Sequence, residues 1–150
     1  GDGNNMAHSL LFGAAKVGMD IAIAGPEGYE CAPHYLELAQ QDAAAAGTRI
    51  EITHDPVAAV RGASAVYTDV WASMGQEDEA KKRIADFEGY TVDEALMAHA
   101  KPEAVFLHCL PAHRGEEVTA GVADGPQSRI FDEAENRLHA QKAVMIHLMG

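Results

Sequence analysis

The sequence predicts an α/β fold: a doubly wound parallel sheet with helices on both faces. Three observations carry that reading. Short apolar runs, such as Ile21-Ala22-Ile23-Ala24, Ala65-Val66-Tyr67-Thr68 and Val105-Phe106-Leu107-His108, read as buried strands. Segments with apolar residues at helical spacing separate them, an alternation that implies parallel strands covered on both sides. The 150 residues suit one domain, since soluble domains cluster at about 100–150 residues. No repeat, low-complexity linker or compositional break divides them.

Taken in order, Met6, Leu10, Leu11, Ala14 and Val17 share a helical face that stops at Gly18, a C-terminal cap. Ile21–Ala24 is a strand closed by the turn pair Gly25-Pro26. Pro33–Ala46 is rich in Leu, Ala, Glu and Gln and ends at Gly47, which predicts a helix. Ile50–Thr53 follows as a strand. Asp55-Pro56 then sets an N-cap and a first-position proline for a short helix ending near Gly62. After the strand Ala65–Thr68, residues 77–87 form a charged surface helix. Thr91-Val92-Asp93-Glu94 has the pattern of a capping box and opens a helix through His99. Val105–His108 is a strand, Ile130-Phe131 is the weakest strand candidate, and Asp132 caps a last helix reaching about Met149. Gly1-Asp2-Gly3-Asn4-Asn5 has the composition of a strand-to-helix turn, with no strand ahead of it. The expected architecture is therefore Rossmann-like, lacking the strand before residue 1.

Composition narrows the function. Eleven Lys and Arg against 23 Asp and Glu leave a formal charge of −12 with His neutral. A field of that sign repels phosphate backbones and anionic headgroups, so neither nucleic acid nor a membrane surface is an expected partner. No apolar run approaches the roughly 18–20 residues of a membrane span. Residues 1–5 carry neither a basic nor an apolar leader segment, so no signal peptide is expected at this start. Cys31 and Cys109 are too few for a disulfide scaffold and suit a reducing, cytoplasmic setting.

Ligands of doubly wound sheets bind beyond the carboxyl ends of the strands, which directs attention to residues 1–5, 69–76 and 109–116. Gly1-Asp2-Gly3 is half of a dinucleotide fingerprint, but Met6 occupies the third glycine position. No nucleotide cofactor is expected. Asn4 and Asn5 bring amides to a helix start, where free N–H groups suit a carboxylate; for Asn4, plain capping is the stronger reading. Asp69 ends a strand and can accept from an amino group, with Ser73 adding a hydroxyl. An Asx turn at Asp69 stays open as the structural alternative. Trp71 reads as core. His108, Cys109 and His113 lack a fourth ligand at a recognisable spacing, so no metal is expected. Cys109 ends a strand beside a Pro-bounded loop where it can face a ligand, whereas Cys31 reads as inert and His8 as structural. Arg137 stands near the start of the last helix, with a solvated Glu–Arg pair as the alternative.

Four segments then resemble, in order and spacing, the C-terminal ornithine-binding domain of the ornithine carbamoyltransferase family. They are GDGNN at residues 1–5, D-x-x-x-S-M-G from Asp69 to Gly75, H-C-L-P from His108 to Pro111, and F-D-E-A-E-N-R from Phe131 to Arg137. The resemblance covers the whole chain, and its S-M-G element favours ornithine over aspartate. It implies transfer of a carbamoyl group from carbamoyl phosphate to L-ornithine, giving citrulline and phosphate. By motif, Asn5, Asp69, Ser73 and Met74 would bind ornithine, and Cys109, Leu110 and Arg137 would contact carbamoyl phosphate. Cys109 and Asp69 are the implied catalytic pair. It further implies no cofactor, a homotrimer or higher oligomer for the full-length enzyme, and a role in arginine biosynthesis. The family's carbamoyl-phosphate domain, with its S-T-R-T and H-P-x-Q elements, is absent from residues 1–150, so the chain corresponds to a half-site. A transcarbamoylase for putrescine or an acylated ornithine, or a non-catalytic ligand-binding fragment, are the alternative readings.

Overall fold

The structure, a computed structural model, describes residues 1–72 and 79–150. Its elements run α1 (Asn5–Val17), β1 (Ile21–Ala24), α2 (Pro33–Ala46), β2 (Ile50–Thr53), α3 (Pro56–Val60), β3 (Ala65–Thr68), α4 (Ala80–Asp86), α5 (Glu94–Met97), β4 (Val105–His108), α6 (Ala120–Ala123) and α7 (Ile130–Met149). The fold is α/β and Rossmann-like. Each strand pair is parallel: β1 lies on β2 with Ile21 opposite Ile50, and β3 lies on β4 with Ala65 opposite Val105.

Local chemistry explains the boundaries. Asn4 caps α1 by accepting from the N–H groups of Met6 and Ala7, and Gly18 ends it in the left-handed region at φ 78°. Pro33 opens α2 and Gly47 ends it at φ 73°. Asp55 caps α3 through the N–H groups of Val57 and Ala58. Two apolar clusters anchor these pieces. Leu11, Ala39 and Ile23 join α1 and α2 to β1, while Phe106, Val66, Leu96 and Val118 pack β3 and β4 against α3, α5 and α6. Fully buried residues such as Leu11 and Phe106 each contribute about 1.5–3 kcal/mol of transfer free energy.

Four expectations need correction. Ile130-Phe131 is the first turn of α7, not a strand. Its parallel bridge partner on β4 is Ser128, opposite Phe106, so pairing ends just before the helix. The residue ahead of α7 is Arg129, with no side-chain cap, and Asp132 sits inside the first turn. Asp93 rather than Thr91 caps α5, accepting from Leu96 N–H, and the helix ends at Met97. Thr91 instead donates its hydroxyl to the Glu116 carbonyl at 2.8 Å, while Val92 exchanges backbone bonds with the strand-like segment at Glu117–Thr119. The charged helix is only partly a surface helix, since Arg83 and Phe87 turn inward; residues 77 and 78 lie outside the described residues. α6 has no counterpart in the sequence reading. It is one turn long, too short to display a period.

α7 is 20 residues long, which at 1.5 Å per residue is about 30 Å. Only Ile130 is buried along it, and the far half exposes Leu138, Val144, Met145, Ile146 and Leu148.

Candidate functional site

Two parallel strands deliver the central pair. β3 ends at Thr68 and β4 at His108, and their register places the next residues, Asp69 and Cys109, side by side. The Cys109 thiol donates to Asp69 Oδ1 at 2.9 Å. The same oxygen accepts from Val70 N–H at 2.8 Å, a contact one residue on rather than the two of an Asx turn. Asp69 Oδ2 accepts from Asn4 Nδ2 at 3.3 Å. Since Asn4 Oδ1 faces Met6 N–H at 2.9 Å, one amide both caps α1 and ties its start to the carboxylate.

This neighbourhood decides the state of Cys109. Burial first, then the hydrogen bond and charge of Asp69, push the thiol up to about 12. At neutral pH it is a neutral donor to the Asp69 carboxyl group. Tyr67 is raised as well, by burial and then by the neighbouring Cys109 and Glu133. Glu133, in the first turn of α7, accepts from His108 N–H at 3.0 Å and so joins that helix to the end of β4.

Past Cys109 the chain bends sharply. Leu110 has φ 57° and the Leu110–Pro111 peptide is cis. A leucine in the left-handed region costs about 1–2 kcal/mol, so something must hold it there. Leu110 N–H donates to His108 Nδ1 at 2.8 Å. A backbone N–H only donates, so Nδ1 accepts and the ring proton sits on Nε2. That nitrogen faces Glu117 Oε1 at 3.2 Å, with both side chains fully buried. Beyond the bend lies an open cavity of about 530 Å³ lined by Cys109, Leu110, Pro111, Arg137, Leu138 and Gln141.

The structure thus brings Cys109, Leu110 and Arg137 to one cavity, with Asp69 bonded to Cys109 but not itself among the lining residues. The Arg137 guanidinium has no ion-pair partner among the described residues; the salt bridges of α7 involve other side chains. Asn5 is exposed on the first turn of α1, and Asn4 is the amide that reaches Asp69. Ser73 and Met74 lie outside the described residues. Trp71 is buried and stacked on Phe87 with ring centroids 5.4 Å apart. His8 is structural, accepting from Ala32 N–H through Nε2 at 3.2 Å, and Cys31 is buried with its thiol raised by burial.

Sequence reasoning missed Tyr67, Glu133, Glu117 and the link from Arg83 Nη1 to Asp2 Oδ2 at 2.7 Å. For Glu117 the sequence carried no clear signal, and only tertiary contact shows what it pairs with. Potential metal donors also regroup. His108 and Cys109 cluster with Asp69, and His113 clusters with Glu116 and Glu117, each trio offering donor atoms within 4.8 Å of one another.

Comparison with known proteins bears on this geometry. The family model for the Asp/Orn-binding domain of aspartate/ornithine carbamoyltransferases matches residues 1–148. The chain is 62% identical over its full length to the ornithine carbamoyltransferase of Symbiobacterium thermophilum, of which it covers 48%. It superposes on the ornithine carbamoyltransferase of Gloeobacter violaceus with a TM-score of 0.91 and 54% identity, covering 100% of this chain and 50% of that one. For the anabolic ornithine carbamoyltransferase of Campylobacter jejuni the TM-score is 0.94 at 41% identity, over 99% of this chain and 49% of that one. The chain spans about half the length of the relatives it matches.

Proposed function

The chain belongs to the aspartate/ornithine carbamoyltransferase family, as its Asp/Orn-binding domain, and from this premise we propose that it is the ornithine-binding half of an ornithine carbamoyltransferase. The whole enzyme then transfers the carbamoyl group of carbamoyl phosphate to the side-chain amine of L-ornithine, releasing citrulline and phosphate. The observation that carries this reading is the meeting of Asp69 and Cys109 at 2.9 Å, beside the cavity that Leu110 and Arg137 share with Cys109.

The chemistry follows from the charges. An attacking amine must lose a proton as its C–N bond forms and the C–O bond to the leaving phosphate breaks, and a carboxylate beside it can orient the ammonium form and then take that proton. Asp69 supplies that carboxylate. Cys109, held as a thiol, donates rather than accepts and positions the acid. In the transition state negative charge grows on the carbamoyl oxygen and the leaving phosphate, and Arg137 is the cation this chain offers to it. Leu110 shapes the carbamoyl-phosphate side of the cavity. Asn5, Ser73 and Met74 complete the proposed ornithine-binding set, in which Asn5 and Ser73 are the residues assigned to the α-carboxylate and α-amine. One arginine is not a phosphate cradle, so carbamoyl phosphate is bound jointly with a second domain, in a homotrimer whose sites lie between subunits. No helix is long and apolar enough to cross a membrane among the described residues, and the proposed enzyme works in the cytoplasm, in arginine biosynthesis.

The test is citrulline formation by the full-length parent with ornithine, putrescine and N-acetylornithine offered in parallel. Turnover that prefers ornithine supports the reading. Preference for either other amine, or none with any of the three, refutes it.

A further inference from the structure

On the far side of the Leu110 bend, His113, Glu116 and Glu117 aim three donor atoms at one point, and we propose that they form a binding site for a divalent cation of the zinc class. None of the three lines the Arg137 cavity. His113 Nδ1 stands 3.9 Å from Glu116 Oε2 and 3.9 Å from Glu117 Oε2, too far for a hydrogen bond in either direction. All three residues offer an atom within 4.8 Å of the others.

The independent observation is the state of Glu117. Its side chain is fully buried. Oε1 is committed, accepting from His113 N–H at 2.6 Å and facing His108 Nε2 at 3.2 Å. Oε2 is buried and has no hydrogen-bond partner among the described residues, whereas buried carboxylate oxygens are ordinarily paired. Its free lone pairs point toward an imidazole nitrogen and a second carboxylate. The neighbouring guanidinium does not answer them, because Arg114 is turned to Asp124 with bonds of 2.8 and 2.6 Å. Two adjacent carboxylates and an imidazole nitrogen, with no other cation paired to them among the described residues, are satisfied together by a metal ion.

The donor set selects the class. One imidazole nitrogen and two carboxylate oxygens suit zinc or cobalt(II), with water completing four-coordination. Donors around such an ion stand roughly 3.3–3.6 Å apart at bond lengths of about 2.0–2.2 Å. His113 therefore needs to close on each carboxylate by only some tenths of an ångström from 3.9 Å, and the two carboxylate oxygens, within 4.8 Å of one another, by about an ångström at most. Glu117 is the fixed ligand, oriented by the bonds to its other oxygen, as outer-shell partners orient metal ligands.

Cobalt(II) titration followed by visible absorption and calorimetry tests the site. The Cys109→Ser protein serves as host, because it removes the competing Asp69–His108–Cys109 trio. One equivalent should bind with the absorption of a nitrogen–oxygen site and be displaced by zinc. His113→Ala and Glu116→Gln, both on exposed side chains, should each weaken binding by at least about tenfold. His139→Ala, at another exposed histidine paired with a glutamate, should leave the affinity unchanged. Equal affinity in the His113 and Glu116 variants overturns the proposal. So does cobalt binding that shows a thiolate charge-transfer band in the unsubstituted protein and vanishes in the Cys109→Ser host.

Discussion

Replacing Asp69 by asparagine in the full-length parent changes one atom and removes one charge. In the structure Asp69 Oδ1 accepts from the Cys109 thiol at 2.9 Å and from Val70 N–H at 2.8 Å. The amide oxygen can keep those bonds. Its NH2 group then meets Asn4 Nδ2, 3.3 Å from the present Oδ2, and two donors face each other. More costly is the lost charge, since an amide cannot hold the ammonium form of the substrate as a carboxylate does. A hydrogen bond to a charged group contributes about 1.5–3 kcal/mol, which is roughly one to two decades in rate. Cys109→Ser should cost less, because the thiol, pushed up to about 12, already acts as a neutral donor and a hydroxyl can donate in its place. The measurement is kcat and kcat/KM for citrulline formation across about pH 6–10, with ornithine varied, for both variants. That window lies below the raised thiol value, so Cys109→Ser should leave the shape of the profile intact. A Cys109→Ser loss larger than the Asp69→Asn loss, together with disappearance of an alkaline limb, would identify a thiolate as the base and refute the reasoning.

Other tests address the same contacts. Alkylation of Cys109 at about pH 8 should be slow in the native protein and faster in Asp69→Asn, because the hydrogen bond and charge of Asp69 both add to burial in raising the thiol; an unchanged rate would count against that account. The sign of the pH linkage follows, since a thiol raised when folded contributes stability that is full below its unfolded value of about 8.5–9 and declines as pH climbs toward the folded value. Cys109→Ser should flatten that alkaline decline in urea midpoints. Gly3→Ala places a Cβ 2.2 Å from the Glu30 carbonyl carbon and should destabilise by about 1–3 kcal/mol. Gly13→Ala, in α1 with nothing within 4 Å, should instead stabilise by about 0.5–1 kcal/mol. Hydrogen exchange of the 150-residue chain should be fast across residues 138–148, where α7 exposes its apolar side chains, and strong protection there in a monomer would contradict this.

Much of this protein is legible in one dimension. Gly18, Gly47 and Asp55-Pro56 mark helix ends because capping and the left-handed conformation are properties of a residue and its immediate neighbours. The four strands are readable for the same reason, as short apolar runs between such marks. Asp69, Cys109, Leu110 and Arg137 could be singled out as candidates because the motifs that hold them resemble those of the family. What the sequence could not determine depends on partners far along the chain. Thr91 satisfies the local rule for a capping box, yet its hydroxyl goes to Glu116 and Asp93 takes the cap. Ile130-Phe131 has strand-like composition, yet it forms the first turn of α7 with Ile130 buried in the core. Asn4 was readable as a cap and not as the amide that reaches across 65 positions to Asp69. The state of the Cys109 thiol and the buried His108–Glu117 pair are likewise tertiary outcomes. A side chain's residue type sets which protons and lone pairs it carries, whereas desolvation and the charges facing it exist only once distant segments have packed together.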